Sequence, residues 1–246
     1  MTGLLTGFKY AFSGFSLLVK PGIRLFVLLP LLINTLLFTA VITYGAGLLG
    51  DFINSSLTGW MEWLRWLLWP LFAIISLTVV FFCFSIIGNL IAAPFNGFLA
   101  ERVETYLTGT PPGGDGGPVR IFQEIKNAVI SESRKFLYFA VRAILLISLF
   151  FFPFVNFAAP FLWFIFGAWM LALEYLDFPM GNHGILFPEL RTRARSNRPL
   201  AYGFGLGVMV LTLLPVINFI AIPVAVCSAT KLWVEKLKME EELLVN

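Results

Sequence analysis

Charged side chains are scarce in this sequence, and their scarcity decides the class of protein. Asp, Glu, Lys and Arg make up 13% of the 246 residues, while 59% are hydrophobic. Soluble domains carry about 25% charged residues. The composition therefore predicts an integral membrane protein. The net charge of +3 is spread along the chain and forms no polybasic tract, which argues against nucleic acid as a partner.

Side chains typical of active sites and metal centres are also rare. His183 is the single histidine, which excludes an HExxH motif and any multi-histidine metal site, and we expect it to be an ordinary loop residue. The chain contains no GxSxG, Walker or GxGxxG motif. Cys83 and Cys227 lie inside uncharged runs, where we expect small buried side chains and no disulfide. We therefore expect no enzyme, no metal and no cofactor.

Two long uncharged runs dominate the first half of the chain. Residues 25–50 and 66–100 each exceed the roughly 20 residues that a spanning helix needs, so both are predicted transmembrane helices. The second run is longer than a bilayer requires, so its last third is expected to bend or to enter a protein interior. An aromatic belt of the kind found at membrane surfaces is predicted where this run begins, at Trp60, Trp63, Trp66 and Trp69.

Two later runs, 143–173 and 199–230, are interrupted by paired prolines in similar sequences. "PFVNFAAP" (153–160) resembles "PVINFIAIP" (215–223), a weak internal repeat. Proline removes a backbone donor and disfavours the helix before it, and asparagine favours turns. Each run is therefore either one kinked spanning helix or a partly inserted hairpin that turns at Asn156 or Asn218.

The distribution of Lys and Arg favours the hairpins. If both runs are hairpins, only the 51–65 loop lies on the far side, and the cations divide 16 to 1. With four full spans they divide 12 to 5. Because cytoplasmic loops are enriched in Lys and Arg, the first arrangement is favoured, with both termini in the cytoplasm.

The remaining segments complete a single all-α membrane domain. Residues 1–24 show helical spacing of apolar side chains, which predicts either an amphipathic helix in the interface or an ordinary packing helix. This stretch lacks the apolar core of a cleavable signal peptide, so none is expected. Residues 108–118 form a linker rich in glycine and proline, and residues 231–246 are predicted to form a C-terminal amphipathic helix.

The stretch "KPGIRLF" (20–26) has the composition of an anion site at a helix start. Pro21 suits the first turn of a helix, and Gly22 leaves the backbone accessible. A helix start offers unpaired N–H groups and a positive dipole. Lys20, Arg24 and free amides would together bind an oxyanion. The alternative is that both cations simply flank a membrane span.

The stretch "GNLIAAPFNGFLAERVE" (88–104) places polar and helix-breaking residues at membrane depth. Such groups cost several kcal/mol unless they are paired or hydrated. The stretch is therefore either the lining of a pathway or an interhelical hydrogen-bond cluster. Pro94 and Gly97 are expected to break or bend the helix, and Glu101 and Glu104 to pair with arginine. The candidate pathway residues are Asn89, Pro94, Asn96, Glu101, Arg102 and Glu104.

These two stretches resemble the signatures of the CysZ family of bacterial sulfate permeases. Residues 88–104 match closely, and "PGIRLF" resembles the family's Pro-Gly-Leu-Arg-Arg segment. The length and the two proline-broken runs agree as well, so the resemblance covers essentially the whole chain. It implies an inner-membrane protein, built from two long helices and two partly inserted hairpins, that admits sulfate for cysteine synthesis.

The resemblance also implies where the substrate binds. By position, sulfate would be held by Gly22, Ile23 and Arg24, while the family's second arginine is replaced by Leu25. The implied partners are sulfate, with sulfite and thiosulfate as chemically similar anions, membrane lipid and further copies of the chain. Family members are associated with dual topology, whereas the 16-to-1 division argues for a single orientation. No acidic residue lies within the four runs, which favours a passive, channel-like mechanism without ATP.

Two other functional classes compete with a permease. A membrane-shaping or scaffold protein would use the hairpins as wedges in one leaflet. A membrane enzyme acting on a lipid or an isoprenoid diphosphate would need a convergent acid or metal cluster. Its available acids are Glu101, Glu104, Asp177 and Glu189.

Overall fold

The computed structural model describes residues 2–57, 59–112, 118–152 and 154–238, and every regular element in these ranges is a helix. The chain divides into two compact units. The long-helix unit is Leu25–Phe95, and the helical body combines Met1–Arg24 with Asn96–Asn246. The all-α class expected from the sequence is confirmed for the described part of the chain.

The long-helix unit consists of α3 (Leu25–Ser56), a 3-10 turn (Gly59–Met61) and the first part of α4 (Trp63–Thr108). Leucine and other long apolar side chains dominate α3, and only 6% of its Thr35–Ser56 stretch is buried. A helix with so much exposed apolar surface requires an apolar environment such as a bilayer, because exposing this surface to water is unfavourable. Trp63 and Trp66 are also exposed, as residues of an interfacial belt would be.

Helix α4 continues without interruption past Pro94 and Gly97 as far as Thr108. Of the two expected effects of these residues, a break is therefore wrong, and a bend stays a prediction. The last third of the 66–100 run was also expected to bend or to enter a protein interior. The end of α4 does lie in the interior of the helical body, where Leu99, Ala100 and Val103 are at most 1% exposed. Since α4 has 46 residues, at about 1.5 Å per residue it greatly exceeds a bilayer core of about 30 Å.

Among the residues that the structure describes, two stretches are long and apolar enough to cross a membrane by length and composition. One is Thr35–Ser56 within α3, and the other is Asn156–Gly181. The second belongs to the run that the sequence assigned to a hairpin. The side chains of residues 79–94 lie outside the described set, so a span over 66–100 stays a prediction.

The helical body packs its amino-terminal segment against its carboxy-terminal one. Helix α1 (Thr2–Ala11) contacts α8 (Arg198–Leu213), and α2 (Gly14–Leu18) contacts α9 (Pro215–Leu232). Helix α6 (Ala159–Gly181) contacts both α8 and α9. The core of the body is built from large side chains that are almost fully buried, among them Phe204, Leu211 and Trp233. The helices of the body are α1 (Thr2–Ala11), α2 (Gly14–Leu18), the end of α4, α5 (Pro118–Ser148), α6 (Ala159–Gly181), α7 (Phe187–Ser196), α8 (Arg198–Leu213) and α9 (Pro215–Leu232).

Small residues allow α1 and α8 to approach closely. A Cβ atom at Gly7 would meet the backbone of Leu200, and one at Gly203 would meet the backbone of Leu4. Gly203 and Gly207 have the GxxxG spacing that is typical of closely packed helices. Of the two readings of residues 1–24, the packing helix describes this contact.

Both proline-broken runs contain a break between two helices. Helix α5 ends at Ser148, and α6 begins at Ala159 after two short 3-10 turns. Helix α8 ends at Leu213, and extended Leu214 separates it from α9, which starts at Pro215. The expected turn at Asn218 is wrong, because Asn218 is helical and its N–H donates to the Leu214 carbonyl at 2.8 Å. Pro215 ends α8 by its own backbone restriction and occupies the favoured first position of α9.

The C-terminal helix predicted over 231–246 is described only in part. The chain passes from α9 into a turn of π-helix at Trp233–Leu237, and residues 239–246 lie outside the described residues.

Candidate functional site

The segment before α3 forms a tight turn, and the helix itself begins later than the sequence suggested. Gly22 has φ +85°, and the Ile23 N–H donates to the Lys20 carbonyl at 3.2 Å. Proline followed by a glycine of positive φ, closed by this bond, is the signature of a type II turn. Pro21 is therefore a turn residue, while the first helical residue is Leu25.

The amides of this turn are not all free. The N–H groups of Ile23 and Arg24 both donate to the carbonyl of Lys20, at 3.2 and 3.4 Å. The free amides expected near Gly22 therefore do not include those of Ile23 and Arg24. The side chain of Ile23 is 1% exposed, so it anchors the turn in the helical body, while Arg24 remains exposed.

A second arginine lies directly over the turn. The position that a Cβ atom at Gly22 would occupy is 3.2 Å from Arg102 Nη2 and 3.5 Å from Arg102 Nε. Arg102 belongs to the end of α4, within the second sequence motif. The fold thus joins the two motifs, which the sequence could only treat separately. Arg102 also supplies a guanidinium beside the turn, although Leu25 replaces the expected second arginine.

The positive charge at this turn has no acidic counterpart within the described structure. Lys20, Arg24 and Arg102 make no ion pair with any carboxylate that is described, and Glu101, adjacent to Arg102, makes none either. Uncompensated cations around an accessible turn attract anions, and guanidinium groups suit tetrahedral oxyanions because they donate in a planar fork. We call Lys20, Gly22, Arg24 and Arg102 the cationic turn.

Glu104 has partners that the sequence did not predict. Its carboxylate is 1% exposed, and Oε1 is 2.9 Å from His183 Nε2 and 3.1 Å from Lys238 Nζ. The expected pairing with arginine is therefore wrong for this residue. Burial raises the pKa of Glu104, but the bonds and charges of His183 and Lys238 outweigh it and leave the pKa below its ordinary value. This cluster ties the end of α4 to the loop before α7 and to the chain after α9.

The other candidate pathway residues are placed less completely. Asn96 is half-buried, and the carbonyl of neighbouring Gly97 accepts a hydrogen bond from Asn182 Nδ2 at 3.1 Å. The side chains of Asn89 and Pro94 lie outside the described residues, so their predicted role stays a prediction.

Two further acids available to an enzymatic alternative, Asp177 and Glu189, are each held by a cation. Asp177 accepts from Lys135 Nζ at 3.0 Å, and Glu189 pairs with Arg193 at 2.6 Å. Burial lowers the pKa of Lys135, but Asp177 and Glu174 outweigh this and raise it, so the lysine stays charged. These carboxylates thus pair separately and do not converge on one centre.

Sequence reasoning missed two features of the site. His183 had been taken for an ordinary loop residue, yet it binds the buried carboxylate of Glu104. The contact between Arg102 and Gly22 joins distant parts of the chain, and no local pattern signals it. The only signal in the sequence was that both motifs are polar.

Comparison with known proteins gives consistent matches over most of the chain. The model of the family described as Sulfate transporter CysZ/Etoposide-induced protein 2.4 matches residues 10–223. A Vibrio parahaemolyticus protein named Sulfate transporter CysZ is 42% identical over 241 residues, covering 95% of this chain and 96% of the relative. A Pectobacterium atrosepticum protein of the same name is 42% identical over 237 residues, covering 94% of this chain and 85% of the relative.

Proposed function

The chain belongs to the family described as Sulfate transporter CysZ/Etoposide-induced protein 2.4, and from this premise we propose that it is a sulfate permease. It would admit sulfate through the bacterial inner membrane for cysteine synthesis. Two relatives of 42% identity carry the name of a sulfate transporter and align over nearly the entire chain. No observation favours the scaffold alternative.

The chain is a membrane protein, and its proposed arrangement in the bilayer has two long helices and two partly inserted hairpins. The exposed apolar surface of α3 supports the assignment of the long helices to the bilayer. The tip between α5 and α6 supports the partly inserted hairpin, because Phe151, Phe154 and Phe157 there are 81%, 90% and 72% exposed. Phenylalanines concentrated at an exposed tip suit insertion into hydrocarbon, since burial there removes their apolar area from water.

The cationic turn is the proposed entry site for sulfate. Gly22 lets the guanidinium of Arg102 approach the backbone, and Arg24 adds a second guanidinium two residues further on. Ile23 contributes by anchoring the turn. Sulfate is a dianion at neutral pH, so the two guanidinium groups would match its charge and its tetrahedral set of acceptor oxygens. Arg102 would thereby replace the donor that is missing at Leu25.

Transport beyond the turn is proposed to be passive. A dianion cannot cross a low-dielectric core without water and fixed donors, so copies of the chain would enclose a hydrated path. Asn89, Pro94, Asn96, Glu101 and Arg102 would lie along it. Glu104 would support the path through its cluster with His183 and Lys238 and would not meet sulfate. The absence of acidic residues from the four uncharged runs favours a channel over a proton-coupled pump.

The contact between Arg102 and Gly22 carries this proposal, and uptake of radiolabelled sulfate into proteoliposomes tests it. The experiment supplies neither ATP nor a proton gradient. We expect uptake to follow the sulfate gradient and the initial rate to fall at least about tenfold in Arg24→Gln and in Arg102→Gln, because each removes charge-assisted hydrogen bonds. Arg65→Gln is the control, because Arg65 is exposed and belongs to the other unit.

The outcomes separate the function from the site. No uptake by correctly inserted wild-type protein would contradict passive permeation. Normal uptake in both arginine variants would contradict the cationic turn while leaving the permease intact.

A further inference from the structure

A second concentration of arginine in the helical body is separate from the cationic turn. A cavity of about 450 Å³ opens between α5, α6 and the junction of α7 with α8. Arg142, Arg195 and Arg198 line it, and no carboxylate is among the described residues of its wall. None of the three makes an ion pair with a described acid. Three guanidinium groups therefore face one space without compensation.

Aromatic side chains hold the polar end of this cavity in a fixed arrangement. The Arg142 guanidinium carbon lies 3.6 Å from the centre of the Tyr138 ring, and Trp169 Nε1 donates to the Tyr138 hydroxyl at 3.0 Å. The rings of Trp169 and Tyr202 are 5.0 Å apart. Stacking on tyrosine orients the Arg142 guanidinium. Its Nη1 also donates to the Tyr138 carbonyl at 3.4 Å, which leaves the other N–H groups for a ligand.

The rest of the wall is apolar, and this feature distinguishes possible ligands. A bare sulfate or phosphate ion gains nothing from aliphatic walls and loses hydration beside them. An anion that carries an acyl chain gains on both surfaces. The apolar wall residues come from α5 and α6 and are Leu145, Leu146, Leu162, Ile165 and Phe166.

The sequence position of the arginines puts this cavity at the level of lipid headgroups. Arg142 directly precedes the uncharged run 143–173, and Arg198 directly precedes the run 199–230. In a membrane protein, cations at the start of such runs lie at the interface, and basic pockets between helices on that side bind anionic headgroups. The charged end of the cavity therefore lies where phosphates are, and its aliphatic wall continues toward the acyl chains.

We propose that this cavity binds an anionic phospholipid, with its phosphate on Arg142, Arg195 and Arg198 and the start of an acyl chain along α5 and α6. The bound lipid fills the space between helices that the protein itself leaves open. The assignment concerns a different site from the cationic turn and does not depend on sulfate permeation.

Native mass spectrometry of the purified full-length protein tests the proposal. Phosphatidylglycerol and phosphatidylcholine with identical acyl chains are offered in equal amounts, so that only the headgroup charge differs. We expect retention of phosphatidylglycerol to exceed that of phosphatidylcholine by about tenfold or more. The triple variant Arg142→Gln, Arg195→Gln, Arg198→Gln is expected to lose this preference.

A matched control separates the cavity from general surface charge. Lys9→Gln, Arg65→Gln and Lys236→Gln together remove three exposed cations outside the cavity and should leave the preference unchanged. Equal loss in both triple variants, or no preference in the wild type, overturns the proposal. Leu162→Trp fills the apolar end and keeps every charge, so it should also release the lipid, even if the arginine variant does not fold.

An added excess of sulfate shows whether the ligand of the cavity is an anionic lipid or free sulfate. Retention of phosphatidylglycerol in the presence of sulfate supports the lipid site. Displacement of the lipid by sulfate, together with loss of sulfate binding in the arginine triple variant but not in Leu162→Trp, would make the cavity a second sulfate site and overturn the proposal.

Discussion

At the level of single residues, Gly22 has two separate reasons to be glycine. Its φ of +85° belongs to the left-handed region, which side chains adopt at a cost. Independently, a Cβ atom there would lie 3.2 Å from Arg102 Nη2, closer than an ordinary van der Waals contact. The backbone conformation forms the turn, while the missing side chain makes room for the guanidinium.

We expect Gly22→Ala to impair sulfate binding beyond its effect on stability. The strained conformation should cost roughly 1–2 kcal/mol, and the added methyl should push Arg102 away from the turn. Gly109→Ala is the control, because Gly109 has φ +79° and nothing lies within 4 Å of its Cβ position. Thermal unfolding and calorimetric sulfate titration measure the two effects. Equal loss of affinity in both variants would contradict the proposed contact.

Hydrogen bonds between elements hold the amino-terminal helices to α9. Ser228 Oγ donates to the Ala11 carbonyl and accepts from the Gly14 N–H, each at 2.8 Å. One buried hydroxyl thus satisfies two backbone groups at the junction of α1 and α2. The cationic turn follows α2 directly, so this junction helps to fix the position from which the turn begins.

We expect Ser228→Ala to destabilise the protein by about 2 kcal/mol, because it leaves two buried backbone groups without a partner. Thr230→Val is the control. Thr230 is equally buried, but its hydroxyl donates only to the Val226 carbonyl within its own helix at 2.9 Å, so a smaller loss is expected. Thermal unfolding in detergent compares the two variants. A larger loss in Thr230→Val would show that the junction does not depend on Ser228.

For the molecule as a whole, the distribution of Lys and Arg and the positions of the helix breaks support the same membrane topology. Helix α5 ends at Ser148 before α6 begins at Ala159, and Leu214 separates α8 from α9. Both interruptions lie near the centres of the two proline-rich runs. If each break is the tip of a hairpin, the 174–198 segment stays with the termini, and one loop carries a single cation on the far side. The resulting excess of Lys and Arg on the side of the termini agrees with the positive-inside rule if the termini are cytoplasmic.

Cysteine labelling of intact cells tests this topology. In a background with Cys83→Ala and Cys227→Ala, a membrane-impermeant maleimide should label Ser55→Cys and fail to label Ser196→Cys, since only the first would face outward. Both serines are exposed, so differences in burial do not decide the result. Labelling of both would favour four full spans, and half-labelling of each would indicate dual topology.

At the level of elements, the sequence predicted helices well and their ends less well. Apolar runs and prolines correctly predicted the all-α class of the described residues and two interrupted segments. The break in the last run lies at Leu214 and not at Asn218, because the restriction imposed by Pro215 acts on the preceding residue. Conversely, α4 passes Pro94 and Gly97 intact. A local breaker does not reveal whether the surrounding structure will tolerate it.

The sequence alone determined the class of this protein and both motifs of its proposed site. Hydrophobic content, the lengths of uncharged runs and the placement of cations are local quantities, and the bilayer acts on them directly. The tertiary structure alone decided which polar groups meet. Arg102 lies over Gly22, Glu104 binds His183 and Lys238, and three arginines from separate helices share one cavity. These pairings follow from how helices pack over long separations in the chain, and no local spacing encodes them.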